Sequence, residues 1–230
     1  MDLRLPTLSV SAEPPACNTT TFHPEALDSE LSSVFRRLAR LPGWFNVDDC
    51  AHFSLILAMQ TLLGLPGDLF EIGSYHGRST CILARGLRPR ERLHICDPFD
   101  LGVGEQYGDA PTVARLMANL HSVLPGLDDA QIVTYRSTSE HLRLEPAQRF
   151  RFVHVDGAHA HAVCLQDLRL SARHLLPLGV IAVDDYAYPS YPGVTFAVRD
   201  FLNEHPHYQV LADLNRHGAG GRKLYLTSRC

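Results

Sequence analysis

Apolar and polar positions along this chain switch between a helical period and short apolar runs. From Pro24 the residues Ala26, Leu27, Leu31, Val34, Phe35, Leu38 and Leu41 recur at helical spacing, and the pattern stops at Pro42-Gly43. Asn46-Val47-Asp48-Asp49 then offers N-cap side chains for a second helix, from residue 50 to about 63. Its apolar positions run most of the way round, so it is expected to be buried against the sheet edge or a second subunit. Trp44, in the joint between the two helices, reads as packing, with a substrate lid as the alternative. Short apolar runs at 69–72, 93–99, 131–136, 150–155 and 180–183 read as five strands. Helical segments start at Thr80, at Thr112 and at His161 between them, and another is expected from about Thr195 to Glu204. The runs at 208–211 and 223–226 close the chain as a strand pair joined through Gly218-Ala219-Gly220-Gly221. Strands alternating with helices predict an α/β fold, a doubly wound sheet with helices on both faces.

Residues 1–21, rich in Pro, Ser and Thr and without periodicity, read as a flexible arm. Residues 22–66 read as N-terminal helices packing on the core, and 67–230 as the main domain. Composition narrows the class further. With 230 residues, 45% hydrophobic and 20% charged, the chain suits one well-packed domain. A net charge of −4 and no block of lysine or arginine exclude nucleic acid as an expected partner. The longest apolar stretch, 53–65, is interrupted by Ser54, Gln60, Thr61 and Gly64 and is too short to span a bilayer, and the N-terminus has no signal-peptide core. The six cysteines form no Cys-x-x-Cys pair, and most fall inside expected strands or helices. That usage fits a reduced, cytoplasmic chain with cysteine as a small apolar residue, and zinc is not expected.

The first candidate chemistry lies where the strand at 69–72 breaks at Gly73 and reaches the helix that follows Arg78-Ser79. Glycines there let main-chain N–H groups approach a ligand beside an open helix N-terminus. The spacing lacks the Gly-x-Gly-x-x-Gly that seats a pyrophosphate, and Glu71 suits a cationic ligand better than a diphosphate. The stretch Glu-x-Gly-x-x-x-Gly-x-Ser, formed by Glu71, Gly73, Gly77 and Ser79, resembles motif I of class I methyltransferases that use S-adenosylmethionine. That resemblance implies a loop, with Ser74 and Tyr75, packed around the methionine half of the cofactor. It also implies a seven-stranded, mostly parallel sheet whose antiparallel last strand lies between the fifth and sixth, over roughly residues 67–228. Asp97 ends the second strand, 26 residues beyond Glu71, where an acidic side chain can take a ribose diol or simply cap a turn before Pro98. Residues 101–109 read as a mobile loop. Ser139, after the third strand, can cap a following helix or hydrogen-bond an adenine ring.

A second constellation sits on later strand ends. Asp156 leaves the fourth strand; Asp184 and Asp185 leave the fifth. Adjacent strands lie about 4.8 Å apart, so three carboxylates would repel unless a cation sat among them. Oxygen ligands alone fit Mg²⁺ or a similar hard ion. His159, three residues after Asp156, is placed to act as a general base, because an unperturbed imidazole titrates near neutrality. His154 alternates within its strand and is assigned to packing. Asp156, His159 and the Asp184-Asp185 pair are similar to the metal-dependent macrolide-sugar O-methyltransferases of the macrocin group. There the acids hold Mg²⁺ and the histidine is the base; some relatives have Glu where this chain has Asp184. The expected activity is therefore S-adenosylmethionine- and Mg²⁺-dependent O-methylation of a small molecule, a sugar or other vicinal diol of a natural product, by a homo-oligomer. A catechol or phenol acceptor, a metal-dependent hydrolase or hydroxylase, and a non-catalytic cofactor-binding subunit are the alternatives.

Overall fold

The computed structural model describes residues 29–99, 111–216 and 221–228. The arm at 1–21, the loop at 101–109 and most of the glycine connection at 218–221 fall outside the described residues. Two helices come first, α1 (Ser29–Leu38) and α2 (Val47–Leu62). The alternating part follows as β1 (Asp68–Ile72), α3 (Arg78–Arg85), β2 (Leu93–Asp97), α4 (Val113–Val123), β3 (Ile132–Arg136), β4 (Phe150–Val155), α5 (His161–His174), β5 (Leu175–Tyr186) and α6 (Pro192–Glu204). The closing pair is β6 (Tyr208–Leu214) and β7 (Arg222–Ser228). The seven strands order as β3-β2-β1-β4-β5-β7-β6. β1 to β5 pair in parallel, and β7 runs antiparallel between β5 and β6. The topology is the one expected from the sequence.

Two differences stand out. No helix forms between β3 and β4 among the described residues; Ser139 instead closes a turn in which Leu142 N–H donates to its carbonyl. The helix at α6 begins earlier than its apolar spacing indicated, with Pro192 in its first turn, where the missing N–H costs nothing.

The central strands are buried on both faces, as parallel sheets require: every residue of β2 and β4 is buried. One apolar cluster joins α1, α2, α3 and α4 to one face of the sheet, through Val34, Phe53, Leu83 and Leu120 among others. The second lies under α5 and α6, with Leu168, Val198 and Phe201. The helix α2 begins with a capping box in which Asn46 and Asp49 each accept the other's backbone N–H, at 3.0 and 3.1 Å. Its inner face, Phe53, Leu57 and Gln60, is buried, while Leu55, Met59 and Leu62 are exposed. The expectation of a helix covered on most sides is met on one side only within a single chain. Gln60 tethers it to β4 by donating to Arg151 O. Arg151 itself is wholly buried, bidentate on Glu91 at 3.0 and 2.8 Å, and also donates to Gln60 and to Gly86 O. Among the described residues, no helix is long and apolar enough to cross a membrane.

Candidate active site

The carboxyl ends of β1, β4 and β5 converge on one edge, and the glycine turn after β1 is shaped by that convergence. Gly73 has φ 83°, and a Cβ there would lie 2.0 Å from Asp156 O. Only glycine allows the exit of β1 to press against the exit of β4. Gly77, at φ 90°, precedes α3, and a Cβ on it would meet Leu116 at 2.6 Å. Tyr75 takes φ 48°, an uncommon conformation for an aromatic residue. The turn is held from β2: Asp97 Oδ2 accepts from Ser74 N, Ser74 Oγ and Tyr75 N at 2.8, 3.0 and 3.0 Å, and Oδ1 accepts from Phe99 N at 2.7 Å. The sequence leaves Asp97 either to take a ribose diol or to cap a turn before Pro98. Here both its oxygens serve the protein, and it orders the loop.

Glu71 is likewise turned inward. It is fully buried, accepts from Thr80 Oγ1 at 2.5 Å, and has His154 Nδ1 3.0 Å away. Ionised carboxylates only accept, so Nδ1 of His154 carries a proton there. Ser79 is buried in the first turn of α3. Ser139 is also buried and faces Asp167 of α5, not a helix end.

At the strand ends, the three aspartates have different surroundings. Asp184 is met by two cations: Lys223 Nζ hydrogen-bonds Oδ2, and Arg216 Nη1 lies 2.8 Å from Oδ1. Arg216 Nη2 reaches on to Asp185 Oδ1 at 3.0 Å. Both cations also face Asp49 of α2, at 3.8 and 3.6 Å. Lys223 has no exposed side-chain surface and sits over the rings of Phe45 and Phe53, at 5.2 and 5.5 Å. His154 lies between these groups, its Nε2 3.4 Å from Lys223, 3.8 Å from Asp184 and 4.0 Å from Asp156. Burial and the Lys223 charge disfavour its protonation, but the Asp184 and Glu71 carboxylates prevail and raise its pKa to about 9. Burial works against the ionised Asp184 as well, yet Lys223, His154 and Arg216 hold it well below the usual carboxylate range. For Asp156, burial and the charge of Asp184 act together and push it well above that range.

His159 stands at the open side of the cluster. Its Nε2 is 3.1 Å from Asp185 Oδ2, and its ring stacks on Tyr191 with centroids 3.8 Å apart and planes 7° from parallel. Tyr188 packs edge-on against Tyr191 at 5.1 Å. The start of α6 presses on the His159 segment, where a Cβ on Gly193 would lie 2.5 Å from His159 O. Asp185 itself has φ 52°, a strained conformation at the point where the strand delivers its acid. Across the site, Trp44 is exposed and lies 5.3 Å from the Tyr75 ring, beside Arg78, whose guanidinium donates to Leu41 O and Phe45 O. Its exposure argues against packing as its only role.

The three aspartates expected to hold a metal fall into two overlapping groups. Single ligand atoms of Asp156, His159 and Asp185 lie within 4.8 Å of one another, and so do those of His154, Asp156 and Asp184. Asp156 belongs to both groups, neither contains all three aspartates, and both oxygens of Asp184 and one of Asp185 meet protein cations. The sequence reading missed Lys223, Arg216, Asp49 and the part played by His154. A signal existed for one of them: Lys223 opens the apolar run of β7, and β7 pairs with β5 so that Leu224 faces Val183, one residue from Asp184.

The family model described as "Methyltransferase domain" matches residues 70–186, just over half of the chain. Among curated proteins, none matches the sequence. Solved structures share the fold at low identity. The O-methyltransferase NovP is 18% identical with a TM-score of 0.63, covering 80% of this chain and 81% of its own. TomG, an O-methyltransferase from Streptomyces achromogenes involved in tomaymycin synthesis and solved in complex with SAM, is 17% identical with a TM-score of 0.60, covering 89% and 91%. CalS11, described as a TDP-rhamnose 3'-O-methyltransferase of calicheamicin biosynthesis, is 18% identical with a TM-score of 0.57, covering 86% and 92%. The stretch from β1 to the end of β5 is thus matched both in sequence pattern and in fold, and the chain belongs to this methyltransferase-domain family.

Proposed function

We propose that the chain transfers the methyl group of S-adenosylmethionine to a hydroxyl oxygen of a small molecule, a sugar or another vicinal diol, with His159 as general base. The observation that carries this reading is the Asp185–His159 pair, set on the strand ends beside the glycine turn and braced by Tyr191. Asp185 Oδ2 accepts the Nε2 proton, which leaves the lone pair of the imidazole on Nδ1. The acceptor hydroxyl gives its proton to Nδ1, its oxygen bonds to the methyl carbon, and the methyl–sulfur bond breaks to leave S-adenosylhomocysteine. Deprotonation by a positioned base contributes roughly 10² to 10⁴ in rate, and alignment of the two reactants contributes further. The SAM complex of TomG and the sugar substrate named for CalS11 support the cofactor and the acceptor class.

A second reading keeps magnesium, and the proximity of Asp156, His159 and Asp185 favours it. Those three would hold the ion, which would acidify a bound hydroxyl when present; His159 would then be a ligand and not the base. One experiment tests both. Labelled cofactor is screened over diol-bearing glycosides and catechols, with Mg²⁺ and with EDTA, beside calorimetry with S-adenosylhomocysteine. Transfer to a glycoside in EDTA is the expected result. No binding of S-adenosylhomocysteine would overturn the cofactor, and transfer only with Mg²⁺ would favour the second reading.

A further inference from the structure

We infer that Lys223 and Arg216 are the resident cations of the acidic strand end, standing where the sequence pattern reserves a place for a divalent ion. The inference rests on the methyltransferase reading of this same site and concerns how its acids are held. Each cation is fixed by the fold. Lys223 belongs to β7, a strand flanked on both sides, and its ammonium is enclosed by Phe45, Phe53, Asp184, Asp49 and His154 with no route to solvent. The side chain of Arg216 is nearly as enclosed, and it spans Asp184 and Asp185 with separate nitrogens, while its Nε donates to Gly221 O.

The arrangement answers the repulsion among strand-end carboxylates without an ion from outside. A hard divalent cation asks for near-octahedral oxygen ligands, and two fixed positive groups already occupy the inward directions of Asp184. The same contacts make Arg216 a positioning residue. Its Nη2 holds one oxygen of Asp185 while the other oxygen meets His159, so the guanidinium, the carboxylate and the imidazole form a continuous chain. Removing Lys223 would free Asp184 Oδ2 beside Asp156 while Arg216 keeps Oδ1, which opens one oxygen ligand next to the Asp156 carboxylate.

The test uses Mn²⁺ as the probe, on protein treated with EDTA and dialysed. Free Mn²⁺ is followed by its electron paramagnetic resonance signal, and S-adenosylhomocysteine binding by calorimetry on the same samples. The wild type is expected to leave the Mn²⁺ signal unchanged and to bind S-adenosylhomocysteine. The Lys223→Met variant is expected to take up one Mn²⁺, and the double variant Lys223→Met with Asp184→Asn to lose that uptake. Stoichiometric Mn²⁺ binding by the wild type that Asp185→Asn abolishes would overturn the inference, as would a Lys223→Met variant, folded by circular dichroism, that binds none. Should Lys223→Met not fold, Arg216→Met serves in its place with the same expected gain, and its failure to bind Mn²⁺ would count equally against. Loss of S-adenosylhomocysteine binding in the wild type would refute the cofactor and leave the Mn²⁺ result to decide the cations separately.

Discussion

Asp167→Asn is expected to change how stability depends on pH, by an amount that the surroundings of Asp167 set. The carboxyl projects from α5 into the core beneath the Asp156-Gly157 turn, where a Cβ on Gly157 would lie 3.3 Å from its Oδ2. It is fully buried, the Ser139 hydroxyl faces it, and among the described residues neither oxygen has a well-aligned hydrogen-bond donor. Burial raises its pKa from the ordinary 3.8 to about 7, with the Ser139 hydroxyl acting the other way. The folded chain therefore holds a proton there that the unfolded chain has released. Such a group stabilises fully below the unfolded pKa, and its contribution is lost as pH rises through the folded value. At 1.36 kcal/mol per unit, a rise of about three units corresponds to roughly 4 kcal/mol lost between about pH 4 and pH 7.

Asparagine has nearly the same shape and no charge, so it removes that loss. Its amide still lacks partners, at a pH-independent cost of about 1–3 kcal/mol. The sign of the difference at one pH is therefore a weak test, and its slope is a strong one. Urea denaturation followed by the fluorescence of Trp44, the only tryptophan, gives both curves. The variant should gain roughly 2–4 kcal/mol on the wild type between about pH 4 and pH 8. Asp156 and Asp184 titrate in both proteins and cancel in the comparison. Parallel curves would show that Asp167 is already ionised or already paired in the fold, and the reasoning would fail.

Three further outcomes follow from the same structure. His159→Ala should lower kcat by roughly 10² to 10⁴ while leaving S-adenosylhomocysteine affinity unchanged, since its contacts are to Asp185 and Tyr191; a rate within threefold of wild type would remove it as the base. Arg151→Met should cost about 3–5 kcal/mol in urea denaturation, because Glu91 loses its buried bidentate partner and Gly86 O its donor; a loss under about 1 kcal/mol would mean that water replaces the guanidinium. Gly73→Ala combines a φ of 83°, about 1–3 kcal/mol of strain, with a clash at 2.0 Å against Asp156 O. It should abolish S-adenosylhomocysteine binding and lower Tm, and retention of wild-type affinity would show that the β1 and β4 exits can separate.

The fold was legible because its signals are local. Apolar runs bounded by glycine and proline mark β1, β2 and β4, and Asn46 with Asp49 marks the start of α2. The missing helix between β3 and β4 shows the limit: Ser137-Thr138-Ser139 has cap chemistry, but Pro146 and the short span to Phe150 leave only a turn. Candidate residues on one segment, such as Asp156 with His159, are paired by spacing alone. Those that arrive from distant segments were not. Asp49 comes from α2, Arg216 from the segment just after β6 and Lys223 from β7, and only strand pairing and helix packing bring them to Asp184. His154 was assigned to packing from its alternation. It is buried as expected, but its two nitrogens link Glu71 below the glycine turn to the strand-end acids.

That linkage gives the three strand-end aspartates separate work. Asp184 and Asp185 have cations of the chain against them, and they act inward, fixing β7 to β5 and holding His159. Asp156 differs. Among the described residues no lysine or arginine lies within ion-pair distance of it, and its carboxyl is pushed toward the protonated form by burial and by Asp184. Its backbone carbonyl packs on Gly73, at the turn that the family resemblance assigns to the methionine half of the cofactor. We expect a positive charge arriving at that turn to be compensated at Asp156. A sulfonium carries one such charge. Asp156, approached only by His154 at 4.0 Å among the cations of the described residues, is therefore the acid we expect to face it, because Lys223 and Arg216 already satisfy the other two.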